Sequence, residues 1–329
     1  MTRPELLEEI RRLRQTQQPI LCGPWLGEIG FELLYWVPFL RWMCQAANIL
    51  PDRVWILSRG GGRSWYADFA GHYVEAYEHF TVAELRTLNQ ARVTEQAKRG
   101  RQFGLRRHQV TAKQFGLMEA ESSLLGHARR SIGQSEPYLI HPSMMYRLFR
   151  PFWRPPKMDL FHKWEKITRL RRLTLKDRTP TERLPDRYIA VKAYSSEACR
   201  ISVESGESMR RLIRHLQRKA PVVLLQTGQS YDEHGEFSAS DCIVPAFDPA
   251  TNLDQQTAII SGATEFVSTY GGFAYLGPLV GVPTLGVYTD ANFRRDHLQL
   301  MKMVSQRMLH VDFRIASLEM AAGSTYAAA

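Results

Sequence analysis

The chain has 329 residues, 44% of them hydrophobic and 23% charged, with a formal net charge of +10. That length accommodates two ordinary domains, and the composition excludes disordered, fibrous and collagen-like classes. The charge is local: residues 92–113 carry seven Lys/Arg against Glu95, residues 147–178 carry eleven against three acids, and the rest is net acidic.

Residues 1–15, MTRPELLEEIRRLRQ, read as a charged amphipathic helix without the apolar centre of a signal peptide, which predicts a cytoplasmic protein. A strand at 19–22 leads into a glycine-bearing loop, 23–30, and a long helix, 31–47. The apolar stretch 31–44 is interrupted by Glu32, Pro38 and Arg41, too polar for a membrane span. A second strand, 53–58 (RVWILS), precedes a loop at 59–63 with three successive glycines. Helices follow at 82–96 and 112–130, then a strand at 138–141. Apolar runs alternating with helical patterns predict a parallel sheet covered on both faces. Cys22, Cys44, Cys199 and Cys242 lie far apart with no CxxC pair, so neither a zinc site nor a disulfide framework is expected. Cys22 and Cys44 fall in apolar elements as buried thiols.

From 147 to 185 five prolines break the pattern, and KWEKITRLRRLTLK is a basic helical piece. A linker at 177–185 divides an N-terminal domain, 1–176, from a C-terminal one, 186–329. Phe149, Phe152, Trp153, Phe161 and Trp164 interleave with Arg147, Arg150, Arg154, Lys157 and Lys163. That mixture suits the headgroup level of an anionic bilayer, a nucleic-acid backbone, or a core with a solvated cationic face. Contact of Arg147–Arg178 with the inner leaflet is the preferred partner reading, and nucleic acid the less favoured one.

The second half restarts with a strand at 188–193, a helix at 204–219 and a strand at 222–226. A short strand at 242–244 and a helix at 253–261 follow. Residues 263–290, ATEFVSTYGGFAYLGPLVGVPTLGVYTD, hold a strand (265–268), a turn (Thr269, Tyr270, Gly271, Gly272), a helix (273–280) and a closing strand (284–288). Glycines at a helix start let an anion approach backbone N–H groups and the positive end of the dipole. In a parallel sheet such a turn lies at the carboxyl edge of the strands, so this one is read as a diphosphate site. Phe273 opens the helix. Lys192 and Ser195 lie at the edge of the first strand of this half, Gln226, Thr227 and Gly228 at the edge of the next, and Asp290 and Arg294 after the last. These residues form the candidate donor site. The acids of Asp232–Glu236 lack the spacing of a metal site and are read as exposed loop acids.

VVLLQTGQSYDEHG followed by LDQQTAIISGATEFVSTYGGFAYLGPLVGVPTLGVYTD resembles the carboxyl-terminal domain of bacterial heptosyltransferases and related GT-B glycosyltransferases. ILCGPWLGEIGFELLYWVPFLRW is similar to that family's opening strand, glycine loop and helix, with Gly27-Glu28 where the family has Gly-Asp. The resemblance implies an α/β protein of GT-B architecture, two Rossmann-like doubly wound parallel-sheet domains facing a cleft. It implies transfer of a sugar from a nucleotide sugar to a glycan or lipid-linked acceptor, with a helix at 315–322 crossing back to the first domain. The departure leaves the general base open between Glu28 and Glu32. As loop and helix residues four apart, the two share a side. Gly27, Gly30 and His141 fall on the acceptor side. No Asp-x-Asp occurs in the chain, so a metal-free site with no cofactor is expected, and inversion at the anomeric carbon. A nucleotide-sugar epimerase on the same fold and a non-catalytic basic binding protein are the rival readings.

Overall fold

Short apolar segments make the strands. The structure, a computed structural model, describes residues 3–100, 113–133, 136–149, 160–175, 184–196, 198–200, 202–228, 235–290 and 295–323. The chain divides into two units, Met1–Leu170 and Arg171–Ala329.

The first unit runs α1 (Arg3–Gln15), β1 (Ile20–Cys22), α2 (Ile29–Phe31), a π turn (Glu32–Trp36), α3 (Val37–Ala47), β2 (Val54–Ser58), β3 (His72–Glu75), α4 (Val82–Lys98), α5 (Ser122–Ile132), β4 (Tyr138–Ile140), α6 (Ser143–Phe149) and α7 (Leu160–Lys166). Its strands pair in parallel in the order β3-β2-β1-β4. The chain moves outward from β1 to β3 and then returns to the other side of β1. That reversal puts a topological switch point between the carboxyl ends of β1 and β4.

The second unit runs β5 (Ile189–Lys192), α8 (Val203–Gln217), β6 (Val222–Leu224), α9 (Asn252–Gly262), β7 (Glu265–Thr269), α10 (Leu276–Leu279), β8 (Thr284–Tyr288), α11 (Arg295–Val304), β9 (Phe313–Ser317) and α12 (Leu318–Gly323). All its strands are parallel, in the order β6-β5-β7-β8-β9, and the switch point falls between β5 and β7. Two doubly wound parallel sheets agree with the fold class read from the sequence. The continuous burial of β1, β5 and β6 is what helices on both faces require. Cys22 and Cys44 are buried free thiols, as expected.

Other expectations need correction. β3 was not anticipated, because HYVE is short and half polar. The helix expected over 112–130 begins only at a 3-10 turn, Glu119–Glu121, ahead of α5. Residues 242–244 contribute one bridge, Ile243 to Val223, and no strand. The helix expected over 273–280 is a 3-10 turn, Gly272–Tyr275, followed by the four residues of α10. Residues 315–322 are not one helix. Phe313–Ser317 pairs with β8 as an edge strand, so 284–288 does not close the sheet. Leu318 and Ala321 of α12 join the core of the second unit with Met209 and Leu212 of α8, so this helix stays with its own unit.

The basic helix shrinks as well. α7 ends at Lys166, and residues 167–175 are not helical. The reason for its position lies in α3. Pro38 has no N–H to offer the carbonyl four residues back, at Leu34, which opens the helix there. Val37 N–H reaches back five residues to the Glu32 carbonyl and makes the π turn, a form often found at functional sites. The orphaned Leu34 carbonyl accepts the Trp164 indole N–H at 2.6 Å. Trp164 and Phe149 are fully buried, so two of the rings proposed for a bilayer surface belong to the core. Arg150, Phe152, Trp153, Arg154 and Lys157 lie outside the described residues, as do 177–183 of the expected linker. Among the described residues no helix is long and apolar enough to cross a membrane.

In the second unit Gly277 sets how closely α10 lies on the sheet. A Cβ there would stand 2.0 Å from Thr284 Oγ1 and 3.0 Å from the Phe266 ring. Gly277→Ala is expected to cost about 1–3 kcal/mol of unfolding free energy through overpacking, measured by urea denaturation.

Candidate functional site

The loop after β1 is built to hold one acid in the open. From Ile20 to Arg41 every residue is buried except Ile29, which is intermediate, and Glu28, which is exposed. Glu28 is the N-cap of α2 in extended conformation, and its carbonyl accepts the Phe31 and Glu32 N–H groups. The backbone before it is tied on both sides. Gly23 N–H donates to the Ile140 carbonyl and Trp25 N–H to the Leu57 carbonyl, which anchors the loop to β4 and β2.

Buried side chains hold the rest of the loop. Gln114 accepts Leu26 N–H (3.0 Å) and donates to the Pro24 carbonyl and to Glu121 Oε1, both at 2.8 Å. Glu121 Oε2 accepts Met118 N–H. Burial raises the Glu121 carboxyl, but the His141 hydrogen bond leads the opposing contacts and leaves it net below the ordinary carboxylate range. His141 Nδ1 accepts Ser143 N–H, which leaves the proton on Nε2, 3.1 Å from Glu121 Oε1. His141 therefore braces the loop from the end of β4, and its 7% exposure gives an acceptor little to touch. Gly27 has no room for a side chain: a Cβ would lie 2.9 Å from both the Trp25 ring and the Tyr146 hydroxyl. Gly30 is a buried residue of α2.

Glu32 faces elsewhere than expected. Its side chain is fully buried, and Oε1 accepts from Tyr66 (2.5 Å) and Ser58 (2.9 Å). The Arg59 guanidinium stands 4.0 Å from Oε2 and donates to the Gly27 carbonyl at 2.8 Å. Burial pushes the Glu32 carboxyl up to about 7, against the lowering effects of Arg59, Tyr66 and Ser58. Glu28 and Glu32 are thus separated, one in solvent and one sealed beneath the loop. Glu32 N–H bonds the Glu28 carbonyl four residues back, but Glu28 is an extended N-cap and not a helical residue, so the shared side argued from helix periodicity does not hold. Below Arg59, the Glu75 carboxylate accepts the N–H groups of Gly60, Gly61 and Tyr77. Gly60 and Gly61 adopt left-handed backbone, φ 78° and 73°, which aims both N–H groups at this one acid.

Of the candidate donor residues, Lys192 and Phe273 meet at the β5/β7 switch point of the second unit, and Gln226, Thr227 and Gly228 follow β6 on the other side of β5. Lys192, at the end of β5, pairs with Glu236 at 2.5 Å and lies 5.2 Å from the centre of the Phe273 ring. Glu236 also accepts Thr227 N–H, Thr227 Oγ1 and Gly228 N–H at 2.7–2.9 Å. Gly228 turns left-handed at φ 67° and brings its N–H alongside that of Thr227. Glu236, read as an exposed loop acid, is instead the hub that joins the edges of β5 and β6. Burial raises its carboxyl, but Lys192 and the loop N–H groups outweigh it and hold it low. Burial depresses Lys192, partly countered by Glu236. Gln226 N–H turns back to the Leu224 carbonyl of its own strand, while the neighbouring Leu225 N–H donates to Val191 of β5.

Several groups expected to face a ligand are used by the fold. The Thr269 hydroxyl donates to the Tyr194 carbonyl and accepts Tyr194 N–H, which ties β7 to the end of β5. Tyr270 N–H donates to the Val287 carbonyl, and its hydroxyl lies 3.3 Å from that of Tyr275. Gly271 is demanded by packing: a Cβ would meet the Tyr194 hydroxyl at 2.5 Å. Gly271, Gly272 and Phe273 are partly exposed at this edge, and Ser195 is half-buried, its N–H donating to the Gly235 carbonyl. Asp290 lies past β8, one strand further out, its N–H donating to the Ala198 carbonyl. Arg294 is outside the described residues.

No family model matches the chain, and no curated protein matches it in sequence. Among solved structures, a glycosyl transferase family 9 protein from Veillonella parvula is 13% identical with a TM-score of 0.45, covering 92% of this chain and 87% of that one. The E. coli ADP-heptose LPS heptosyltransferase II is 12% identical with a TM-score of 0.40, over 88% of this chain and 96% of its own. The E. coli heptosyltransferase WaaC with ADP is 11% identical with a TM-score of 0.40, over 91% and 92%.

Proposed function

We propose that the protein is a glycosyltransferase that moves a sugar from a nucleotide-activated donor to the hydroxyl of a glycan or lipid-linked glycan, with Glu28 as general base. The observation that carries this reading is the exposure of Glu28 alone, on a loop braced by buried polar side chains at the β1/β4 switch point. Open α/β sheets bind ligands at such points. A carboxylate there takes the proton of the acceptor hydroxyl as its oxygen attacks the anomeric carbon. The bond from that carbon to the diphosphate oxygen breaks, the nucleoside diphosphate leaves, and a single displacement inverts the centre.

The β5/β7 switch point of the second unit supplies the donor side of the reading. A lysine ammonium has three donors, and Glu236 takes one of those on Lys192. Positive charge and fixed N–H dipoles stabilise a departing diphosphate without a metal ion.

Thermal unfolding with ADP, GDP, UDP and CMP in turn tests the proposal. A nucleotide at ~100 times its Kd adds about 2.7 kcal/mol of stability, so one of the four is expected to raise the midpoint of the second unit. Lys192→Met is expected to remove that rise, each protein being compared with its own ligand-free midpoint. No rise with any of the four sinks the donor assignment.

A further inference from the structure

We propose that Arg59 is a positioning residue for Glu28: its guanidinium, anchored by Glu32, fixes the Gly27 carbonyl and thereby the direction of the next side chain. The inference rests on Glu28 acting as the base.

Arg59 follows directly on β2 and reaches the loop that follows β1, its strand neighbour. Its side chain is 4% exposed, too enclosed to meet a substrate. Of the loop carbonyls, that of Gly27 is the last before Glu28, and Arg59 holds it at 2.8 Å. On the side where a Cβ would stand, Trp25 and Tyr146 close off Gly27. The peptide plane joining Gly27 to Glu28 is therefore clamped between two aromatic groups and one cation. Three charged or titratable groups surround that cation: Glu32 at 4.0 Å, Glu75 beneath the glycine loop and Tyr146 above. Glu32 is itself fixed by Ser58 and Tyr66. It thus satisfies two buried hydroxyls with one oxygen and faces Arg59 with the other. A charge-assisted bond to one carbonyl is directional, which is what aiming a neighbouring side chain requires.

The test uses the full chain with Arg59→Met, Arg59→Lys and Glu32→Gln, read by amide hydrogen exchange and by steady-state turnover. In Arg59→Met the peptide covering 23–31 is expected to exchange at least tenfold faster, with α1 and β2 peptides unchanged. With a turned-over donor, kcat is expected to fall at least tenfold while the donor KM stays within twofold. Arg59→Lys keeps a cation near Gly27 and is expected to restore part of both. Glu32→Gln is expected to loosen the same peptide to a lesser degree. Unchanged exchange at 23–31, or faster exchange across the whole unit alike, overturns the positioning role, as does a loss of kcat with the loop unaltered. If Arg59→Met fails to fold, the Lys and Gln variants decide by the same exchange criterion. If the wild type turns over no nucleotide sugar, the transferase reading fails, and the exchange result still decides whether Arg59 holds the loop.

Discussion

Glu28→Gln is expected to lower kcat by about 10²–10⁴-fold, the usual contribution of a positioned general base. The substitution keeps the size, the extended N-cap backbone and the loop bonds, because Glu28 contributes its carbonyl to the helix start and that carbonyl is unchanged. The nucleotide-induced rise in unfolding midpoint is expected to survive, since the proposed donor residues belong to the strand ends of the other unit. A loss of kcat and kcat/KM together, with nucleotide binding retained, is the pattern of an interaction made only in the transition state. A variant with full activity would remove Glu28 from the chemistry, and burial leaves Glu32 no access to take its place.

The second large effect is on stability against pH. Burial raises both Glu32 and Glu75 from the ordinary 4.5 to about 7. A carboxyl whose folded value is raised stabilises the fold fully below its unfolded value, and that contribution is lost as pH climbs through the folded value. Between pH 4.5 and about 7 each group is expected to withdraw on the order of 3 kcal/mol, at 1.36 kcal/mol per unit. Glu121 and Glu236 are held low and act in the opposite sense, their contribution disappearing as pH falls through their folded values. His127, lowered chiefly by burial, also works against the trend, its contribution lost as pH falls below its ordinary value. The difference between wild type and Glu32→Gln isolates one term. Urea unfolding at pH 5 and pH 8 should find the variant gaining on the wild type by up to about 3 kcal/mol across that interval. A constant difference would mean that Glu32 is ionised throughout.

How much of this was legible before folding follows from range. The apolar runs of β1, β5, β7 and β8 and the periodic face of α8 are local signals, and each appears within a few residues of where it was read. The strand at His72–Glu75 carries too little apolar content to announce itself. FRIAS does not alternate cleanly, with Phe313 and Ala316 buried, Arg314 exposed and Ile315 and Ser317 half-buried, and the helical pattern of Leu318–Gly323 behind it masked the strand. Glu28 was readable because a loop acid between glycines is a local feature. Its supports were not. Arg59 reaches Gly27 across 32 positions, Lys192 reaches Glu236 across 44 and Gln114 reaches Leu26 across 88. Polar residues in loops carry no periodicity, so nothing in the chain ties such partners together until the strands are in register. The sealed position of Glu32 has the same origin: its partners Ser58 and Tyr66 lie 26 and 34 positions away, and Glu28 before it is an extended N-cap outside the helical repeat.

The position of β9 has a practical consequence for handling the protein. Its five residues cover the outer side of β8, whose inner side is paired with β7. A chain shortened before Phe313 would leave the backbone of Thr284–Tyr288 open along one side, largely apolar and without a charge of its own. Such an edge recruits strands from neighbouring molecules. Shortened forms are therefore predicted to precipitate during expression, and trimming the C-terminus to aid crystallisation should stop after α12.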